Sequence, residues 1–308
     1  MGIMKSKAIK FVLATLSVII GLMVLDFSFG VAVEYARKNA KGGDTHTNYY
    51  LLTELRDSVI IMGSSRANHH YVTDSIAARL HTSVYNCGID GNGILLSYAF
   101  LKNMVSRGAC PSMIIYELFP IFDLYENDDH TNPLTHLRPA YNAPGVSEVL
   151  ADIDPDEAIK NRLASYRYNS VFIQNISDAI SPKQLTIRGY KPIYGKITTD
   201  FQEKINNNVP LDTLKIKYFD KFLRLCDAND IRLIFVTSAQ FHKTDLTPSV
   251  KRFLREHDIT PYGRYRYIDF SDNPDFNCNK ELFADPSHLN DDGARLFTRL
   301  LLDSITAR

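Results

Sequence analysis

Short apolar runs alternate with longer amphipathic stretches from residue 58 to the end of the chain. Five of the runs have the length of buried strands and occupy residues 58–62, 83–86, 113–116, 232–237 and 265–270. Apolar residues recur at helical spacing in residues 73–80, 94–106, 211–228, 248–257 and 291–305. Strands that alternate with helices predict an α/β fold, with a mostly parallel sheet covered by helices on both faces.

The alternation is interrupted between residues 122 and 210, where polar and tyrosine-rich segments replace it. Roughly 90 residues is too long for a plain connection between two elements. We therefore predict one domain over residues 58–308 with an insertion at about 122–210. The insertion is expected to lie over the strand ends as a lid or substrate-shaping region.

The N-terminal segment combines a basic end with a long apolar run. Three lysines at positions 5, 7 and 10 precede FVLATLSVIIGLMVLDFSFGVAV, residues 11–33, in which Asp26 is the first charged residue. A helix needs roughly 20 apolar residues to cross a bilayer. Residues 1–33 are therefore predicted to form an uncleaved membrane anchor with a short cytoplasmic end, and a cleaved signal peptide is the alternative.

The lysines also predict the orientation, because basic residues stay on the cytoplasmic side of a membrane. The rest of the chain is then extracytoplasmic, in a bacterial periplasm or at the cell surface. Residues 34–57 are polar and contain a Gly-Gly pair, so they are predicted to be a juxtamembrane linker.

Composition narrows the classes of partner. Lys+Arg and Asp+Glu each number 35, which removes the electrostatic motive for nucleic-acid binding. The four cysteines are widely spaced without a CxxC pair, so a zinc site is not expected. No other metal or cofactor is predicted. One or two disulfides and buried free thiols both remain open for Cys87, Cys110, Cys226 and Cys278.

Three polar motifs lie where such a fold would place a site. The first two follow the first and second strands, and the third precedes the last helix: Gly63-Ser64-Ser65-Arg66, Asn86-Cys87-Gly88-Ile89-Asp90-Gly91 and Asp285-Pro286-Ser287-His288-Leu289-Asn290. Functional residues of parallel sheets gather at the carboxyl ends of the strands. We therefore expect the motifs to meet there.

Their chemistry is that of nucleophilic catalysis. A serine hydroxyl needs a neighbouring base, usually histidine, and the histidine needs an acceptor that orients it. An aspartate three residues before a histidine, across a proline-containing turn, can supply that acceptor. Backbone N–H groups next to glycines can stabilise a developing oxyanion.

The three motifs together resemble the SGNH (GDSL-like) hydrolase superfamily over residues 58–305. The resemblance implies a flavodoxin-like, three-layer α/β/α sandwich with about five parallel strands. It implies that Ser65 is the nucleophile, His288 the general base and Asp285 its orienting carboxylate. Gly91 matches the oxyanion glycine, with the N–H of Ser65 as a second donor.

Two positions depart from the family pattern. Ser64 replaces the aspartate of the family name, which resembles the membrane-anchored envelope branch with its glycan O-acetylesterase-like and O-acyltransferase-like members. The third strand ends in Tyr116-Glu117-Leu118-Phe119-Pro120, without the asparagine that supplies a further oxyanion donor. Either the oxyanion hole is incomplete, or another residue replaces that donor: Arg66, Asn127 or Asn132.

Further candidate residues surround the motifs. Arg66, Glu117 and Asn86 are candidate substrate-binding residues, whereas His69 and His70 are predicted to lie exposed at a helix start.

The expected function is a serine esterase or O-acyltransferase acting on acyl esters, most simply acetyl esters, of cell-envelope glycans. The expected partners are the glycan or acyl-ester substrate, the membrane and, for acyl transfer, a membrane-bound acyltransferase. The alternative is a catalytically silent protein of the same fold that binds a glycan or a protein partner.

Overall fold

The computed structural model of the chain describes residues 2–181, 186–198, 209–243 and 245–306, with side chains from residue 6 onward. The α-helices within these ranges are α1 (Gly2–Lys38), α2 (Gly43–Thr53), α3 (Ser65–His70), α4 (Thr73–Leu80), α5 (Ile94–Ser106), α6 (Pro120–Asp123), α7 (Leu134–Leu137), α8 (Val146–Ile153), α9 (Glu157–Lys160), α10 (Ala164–Tyr168), α11 (Phe172–Ile180), α12 (Thr213–Ala228), α13 (Pro248–Glu256) and α14 (Asp291–Thr306). Short 3₁₀ turns lie at Arg138–Ala140 and Lys280–Leu282. The strands are β1 (Val59–Met62), β2 (Val84–Asn86), β3 (Met113–Glu117), β4 (Arg232–Thr237), β5 (Ile259–Thr260), β6 (Tyr265–Asp269), β7 (Phe283–Asp285) and β8 (His288–Leu289).

Six of these strands form one parallel sheet in the order β2-β1-β3-β4-β6-β5. Val59 of β1 lies opposite both Val84 of β2 and Met113 of β3. The predicted α/β class is confirmed, and the five predicted strands match observed ones to within one residue at each end. The sixth strand, β5, has only two residues, too few to give a pattern. β7 and β8 form a separate antiparallel pair.

The longer strands of the parallel sheet divide their side chains between two apolar cores, one on each face of the sheet. In β1, Ile60 and Met62 join the core beneath α5 and α12, whereas Val59 and Ile61 join the core beneath α4 and α14. A strand covered on both faces has no polar face, which explains why the strands are continuous apolar runs.

Helix α1 extends unbroken for 37 residues and is long and apolar enough to cross a membrane. Its apolar side chains up to Leu25 are exposed, whereas Val33 near its end is buried with Ala164 and Tyr168. The predicted long apolar segment at the N-terminus is therefore an isolated helix whose last turns join the folded domain.

The structure differs from the predicted linker at residues 34–57. Helix α1 passes through the predicted boundary at residue 33 and ends at Lys38, and α2 occupies most of the remaining segment. Leu51 and Leu52 of α2 are buried in the larger core. The Gly-Gly pair that suggested flexibility lies between the two helices, where Gly42 and Gly43 have φ angles of 126° and 71°.

The predicted insertion at about 122–210 leaves the fold and returns to it at one place. Tyr125 and Leu211 form an antiparallel bridge, and Asp212 donates its backbone N–H to the carbonyl of Leu124 at 2.8 Å. Helices α7 to α11 lie between these points. Backbone hydrogen bonds join Arg188 to Asn86 at the end of β2, Lys191 to Asn68 of α3 and Ile193 to Asp291 of α14, so part of the insertion borders the carboxyl edge of the sheet.

Candidate active site

The turn that follows β1 requires glycine. Gly63 has a φ angle of 136°, and a Cβ atom there would lie 2.7 Å from the backbone oxygen of Glu117. The absence of a side chain lets the chain turn against the end of β3. Ser65 follows as the first residue of α3 and is partly exposed at the carboxyl end of the sheet.

The loop between β7 and β8 is ordered by its own aspartate. Oδ1 of Asp285 accepts hydrogen bonds from the backbone N–H groups of Ser287 at 2.8 Å and His288 at 2.9 Å. This aspartate turn is a local arrangement that short polar side chains favour. It places the imidazole of His288 beside the carboxylate that closes the turn.

Ser65, His288 and Asp285 form a continuous hydrogen-bonded row. Nε2 of His288 lies 2.8 Å from Oγ of Ser65. Nδ1 of His288 lies 2.9 Å and 3.0 Å from the two carboxylate oxygens of Asp285. The consistent proton arrangement has Nδ1–H donating to the carboxylate and the serine hydroxyl donating to Nε2.

The electrostatics keep the aspartate ionised. Burial would raise the pKa of Asp285, but hydrogen bonds from the His288 side chain, its charge and the two backbone N–H groups lower that pKa below its usual value. The His288 side chain is 23% exposed, so a ligand can reach the row from solvent.

The second motif, residues 86–91, stabilises the turn that follows β2. Asn86 is buried; its amide donates to the carbonyl of Ala67 at 2.6 Å and its Oδ1 accepts from the N–H of Gly88 at 2.9 Å. Gly91 has a φ angle of 69°, and its carbonyl accepts from Nδ2 of Asn132 at 2.7 Å. Asn86 thus links the end of β2 to α3, and Asn132 holds the carbonyl group of Gly91.

Glu117 and Arg66 lie beneath the surface. The Glu117 carboxylate is fully buried and accepts hydrogen bonds from the Tyr71 hydroxyl and from Oγ of Ser238 at 2.8 Å. Burial raises the pKa of Glu117 to about 7, although the charge of Arg66 and these hydrogen bonds oppose the rise. The Arg66 guanidinium lies 4.0 Å from the ring centroid of Phe119.

These placements correct the predicted substrate-binding set. Arg66, Glu117 and Asn86 are each at most 6% exposed, so they have almost no surface to offer a substrate. The strand-end positions suggested accessibility, but all three side chains are buried. Their observed partners are protein groups that support the turns carrying Ser65 and Gly91.

His70 connects this buried region to the histidine loop. Its Nε2 accepts a hydrogen bond from the backbone N–H of Leu289 at 3.0 Å, and its Nδ1 lies 2.8 Å from Oγ of Ser238. Oγ of Ser238 in turn donates to Glu117. The prediction of an exposed residue is wrong, because His70 is fully buried. Its partners lie 168 and 219 positions away, and no local sequence signal indicates them.

His69 packs directly against His288 and is also buried, contrary to prediction. Its ring meets that of His288 edge to face, with centroids 5.6 Å apart. Nδ1 of His69 contacts the carbonyl of Lys191 at 2.7 Å, and Nε2 lies 3.3 Å from Asp90. Burial would raise the pKa of Asp90, but hydrogen bonds from His69 and Asn68 bring it to about 2.

A polar cleft with a volume of about 160 Å³ opens beside α3. Asn68, which lines it, is three residues after Ser65 and therefore on the same face of the helix. Helix α2 and residues 186–198 contribute walls, and the backbone N–H of Lys191 donates to the carbonyl of Asn68 at 3.0 Å. The lining offers both donors and acceptors, from residues that include Asp44, Thr47, Asn68, Asp90, His136 and Lys191.

The three residues considered as replacements for the missing asparagine occupy different surroundings. Arg66 is buried against Phe119. Asn127 accepts from Nζ of Lys215 at 2.9 Å and donates to the carbonyl of Ile121. Of the three, Asn132 is the residue that contacts the Gly91 turn.

Cysteines and metal ligands do not build a second centre in the described residues. All four cysteines are free thiols, with Cys87 and Cys226 buried and Cys110 and Cys278 exposed. Within residues 2–181, 186–198, 209–243 and 245–306, no group of three or more His, Cys, Asp or Glu side chains is placed to hold a metal ion.

Comparison with known proteins adds no relative. No protein-family model matches the chain, and no curated protein matches it at significant similarity. A function must therefore be inferred from the motifs and from the geometry that brings them together.

Proposed function

We propose that the protein is a membrane-anchored, extracytoplasmic serine esterase or O-acyltransferase of the SGNH (GDSL-like) type. Its substrates would be acyl esters, most simply acetyl esters, of bacterial cell-envelope glycans. The observation that carries the proposal is the row in which Nε2 of His288 lies 2.8 Å from Oγ of Ser65 while Nδ1 faces Asp285. Such a row is the arrangement that activates a serine for attack on a carbonyl.

The sheet topology supports the finer fold assignment. Without the two-residue edge strand β5, the strand order is that of a flavodoxin-like sheet, in which the chain first builds outwards through β2 and then reverses through β3. Ligands in such sheets bind outside the carboxyl ends of the strands at this reversal. Ser65 follows β1, the strand at the reversal.

The first half of the reaction would form an acyl-enzyme. Oγ of Ser65 attacks the ester carbonyl carbon, and its proton passes to Nε2 of His288. The ionised Asp285 stabilises the imidazolium through Nδ1–H. When the tetrahedral intermediate collapses, the C–O bond to the alcohol breaks and His288 returns the proton to the departing oxygen.

The second half would release the acyl group to a hydroxyl. Water or a sugar hydroxyl gives its proton to His288 and attacks the acyl carbon. The bond to Oγ of Ser65 then breaks, and His288 returns the proton to Oγ. Water as the acceptor makes the protein an esterase, and a sugar hydroxyl makes it a transferase. The same three side chains serve both outcomes, so the acceptor that reaches the acyl group on Ser65 decides between them.

The backbone N–H groups of Ser65 and Gly91 are the proposed oxyanion donors. Gly91 has a left-handed φ angle, and its carbonyl, in the peptide that follows the proposed N–H donor, accepts from Asn132, so the backbone next to that donor is held in place. Preorganised donors are worth about 10²–10³-fold in rate each. Among the candidate replacements for the asparagine that is absent after β3, we favour Asn132, because it contacts the Gly91 turn.

The cleft beside α3 supports a hydroxyl-rich substrate. Asp44, Asn68, His136 and Lys191 line it with both hydrogen-bond donors and acceptors. Burial lowers the pKa of His136, which favours a neutral imidazole able to accept as well as donate. A sugar ring presents hydroxyl groups of matching character.

The packing of α1 supports an anchor that stays attached. Asp26 accepts hydrogen bonds from the backbone N–H groups of Ala164 and Ser165, each at 2.8 Å, and the ring of Phe29 packs on Phe172. Removal of the apolar segment by a signal peptidase would expose these partners. The lysines at positions 7 and 10 favour a cytoplasmic N-terminus.

Hydrolysis of p-nitrophenyl acetate by the full chain in detergent tests the proposal. The unmodified protein is expected to release p-nitrophenol, and Ser65→Ala or His288→Ala should lower kcat by a factor of at least about 10³. Ser64→Ala is the matched control, because Ser64 is a buried neighbour whose loss leaves the row intact. Labelling by a fluorophosphonate should follow the same pattern. Equal labelling of Ser65→Ala and the unmodified protein would reject the proposal.

A second candidate function, a catalytically silent binding protein, is favoured by the end of β3. Glu117 stands near the position of the family asparagine and is buried with protein partners. In this case the unmodified protein would neither hydrolyse the ester nor react with the fluorophosphonate, yet would bind envelope polysaccharide as tightly as Ser65→Ala does.

Dependence on a membrane-bound acyltransferase gives a third, distinguishable result. The serine would then react with the fluorophosphonate, but acyl transfer to the glycan would appear only when the membrane protein that supplies the acyl group is present. Full transfer activity of the isolated chain with a soluble acyl ester would count against this dependence.

A further inference from the structure

Lys215 is a buried lysine in the first turn of α12. Its side chain is only 1% exposed, although lysine is among the residues that proteins rarely bury. The first turn of a helix is also the end at which the helix dipole disfavours a positive charge. Neither the helix nor the apolar core therefore accounts for an ammonium group at this position.

The ammonium group of Lys215 is enclosed by oxygen atoms of the segment 121–132, which we call the lysine loop. Its contacts are the backbone carbonyls of Ile121 at 3.1 Å and Tyr125 at 2.8 Å, Oδ1 of Asn127 at 2.9 Å and the carboxylate of Asp129 at 2.8 Å. Four groups of the loop thus share the three protons of one ammonium. The side chain therefore fixes the path of the loop.

The residue that caps α12 contacts the same loop. Oδ1 of Asp212 accepts from the backbone N–H of Lys215 at 2.9 Å, which makes Asp212 the helix cap. Its Oδ2 lies 2.7 Å from Nε2 of His130, and its backbone N–H donates to the carbonyl of Leu124 at 2.8 Å. The start of α12 is therefore joined to the lysine loop by its cap as well as by Lys215.

The lysine loop ends against the Gly91 turn. The backbone N–H of Asn132 donates to the carbonyl of Asp129 at 2.9 Å, and Nδ2 of Asn132 donates to the carbonyl of Gly91 at 2.7 Å. A cavity of about 10 Å³, barely large enough for a single water, is lined by Lys215, Asp129, Asn132 and Gly91 among others. These groups therefore pack closely on one another, and Lys215 is linked to the Gly91 turn through Asp129 and Asn132.

We propose that Lys215 is a positioning residue for the oxyanion site, because through Asp129 and Asn132 it holds the backbone beside the N–H of Gly91. The inference rests on the proposed function, in which that N–H stabilises the oxyanion. Lys215 is too deeply buried to contact a substrate, so it acts through the loop. The loop follows β3, where the family asparagine is absent, and Lys215 keeps Asn132, the favoured replacement, in contact with Gly91.

Removal of the ammonium group should lower kcat and leave KM nearly unchanged. Lys215→Met keeps an unbranched side chain but leaves the Asp129 carboxylate and the loop carbonyls without their donor. An oxyanion contact is made in the transition state, and a lost donor costs about 10²–10³-fold in rate, so a displaced one should lower kcat on p-nitrophenyl acetate by about 10–100-fold. Lys217→Met, at a position on α12 that is 46% exposed and paired with Asp152, is the matched control and should keep its kcat.

A double-mutant cycle distinguishes positioning from a general loss of structure. Asn132→Ala removes the contact between the lysine loop and Gly91. If Lys215 acts through Asn132, the double variant should have a kcat within about twofold of that of Asn132→Ala alone. Losses that multiply in the double variant would show that Lys215 does not act through Asn132 and would overturn the proposal.

Hydrogen exchange of the full chain in detergent, followed by mass spectrometry, tests the link without using activity. Lys215→Met should speed the exchange of amides in residues 121–132 and 88–93 but not in residues 259–269, and Lys217→Met should change none of them. Asp129→Asn weakens the same contact and repeats the measurement should Lys215→Met fail to fold.

The exchange result separates failure of this inference from failure of the proposed function. Unchanged exchange in residues 88–93 of Lys215→Met would overturn the inference, whether or not the unmodified protein hydrolyses esters. Faster exchange there, in a protein whose unmodified form neither cleaves the ester nor reacts with the fluorophosphonate, would keep the link between Lys215 and Gly91 and reject the proposed function together with the oxyanion role.

Discussion

The backbone N–H of Leu289 donates to Nε2 of His70 at 3.0 Å, so the residue after His288 is held by a buried imidazole on the helix that begins with Ser65. Burial, with the nearby charges of His288 and Arg66, lowers the pKa of His70 well below its usual value. A neutral His70 can accept at Nε2 while its Nδ1–H donates to Ser238. Helix and loop are thereby fixed relative to each other.

Loss of this link should lower kcat. His70→Leu removes the acceptor and leaves the N–H of Leu289 without its partner, which is expected to reduce kcat by about 10–100-fold because small displacements of reacting groups are costly. KM should change little. His70→Gln, whose amide oxygen can reach the Nε2 position, should recover part of the rate. Steady-state kinetics on p-nitrophenyl acetate measure both, and an unchanged kcat in His70→Leu would show that the link does not position the loop.

The negative charge of Asp285 should contribute to kcat, in addition to the position of its side chain. Asp285→Asn keeps the size of the side chain but removes the carboxylate that stabilises the imidazolium, so kcat should fall by about 10²–10⁴-fold. Because the pKa of Asp285 is lowered, the acid limb of any pH–rate profile of the unmodified protein should arise from another group. Asp292→Asn, at an exposed position in the first turn of α14, is the matched control and should keep its activity.

Gly63 should tolerate no side chain. In Gly63→Ala, the new Cβ would lie 2.7 Å from the carbonyl oxygen of Glu117 in a left-handed backbone, and we expect a loss of about 2–4 kcal/mol in the free energy of unfolding. Gly108→Ala separates the two effects. Gly108 also has a positive φ angle of 71° but nothing within 4 Å of a Cβ, so its loss should be nearer 1 kcal/mol.

Chemical unfolding of both variants in detergent, followed by circular dichroism, measures the difference. Similar losses for Gly63→Ala and Gly108→Ala would mean that the end of β3 moves to accept a methyl group.

The buried Glu117 should make stability depend on pH. It ionises near 4.5 in the unfolded chain, whereas burial raises its pKa to about 7 in the folded protein. Between these values the folded state holds a proton that the unfolded state has lost. Its contribution to stability is therefore complete below about pH 4.5 and is lost as the pH rises to about 7, by on the order of a few kcal/mol.

Glu117→Gln should flatten this dependence, and Glu126→Gln, at an exposed position, should not. Asp123, whose pKa burial also raises to about 7, should leave a residual slope in both variants. Unfolding free energies measured from pH 4.5 to pH 7.5 test this prediction. An unaltered slope in Glu117→Gln would show that Glu117 does not cause the pH dependence.

The sequence predicted the sheet well because the information is local. A strand buried on both faces is a continuous apolar run, and the runs around Ile60, Ile114 and Ile234 stand out from their polar surroundings. The spacing of Asp285 and His288 was likewise readable, because the turn that joins them is formed by the aspartate itself. These elements need no knowledge of distant contacts.

Other features depend on partners far along the chain. The buried state of His70 depends on Ser238 and Leu289, and its sequence neighbours give no indication of either. Helix α2 looked like a linker because its polar residues outnumber its apolar ones, yet Leu51 and Leu52 are covered by the core. In both cases tertiary contacts determine which side chains are buried, and local composition does not indicate it.

Because α1 continues without a break into the folded domain, it limits the distance from the membrane at which Ser65 can act. A domain joined to its anchor by a flexible linker can move through a range of positions above the membrane. Here Val33 of α1 is packed inside the domain. Helix α2, which lines the cleft, begins at Gly43, soon after α1 ends. Where α1 crosses a bilayer, Ser65 would be held at a single height and in a single orientation. Only ester groups at that height would contact Ser65, so the length of the anchor would select substrates by their distance from the lipid.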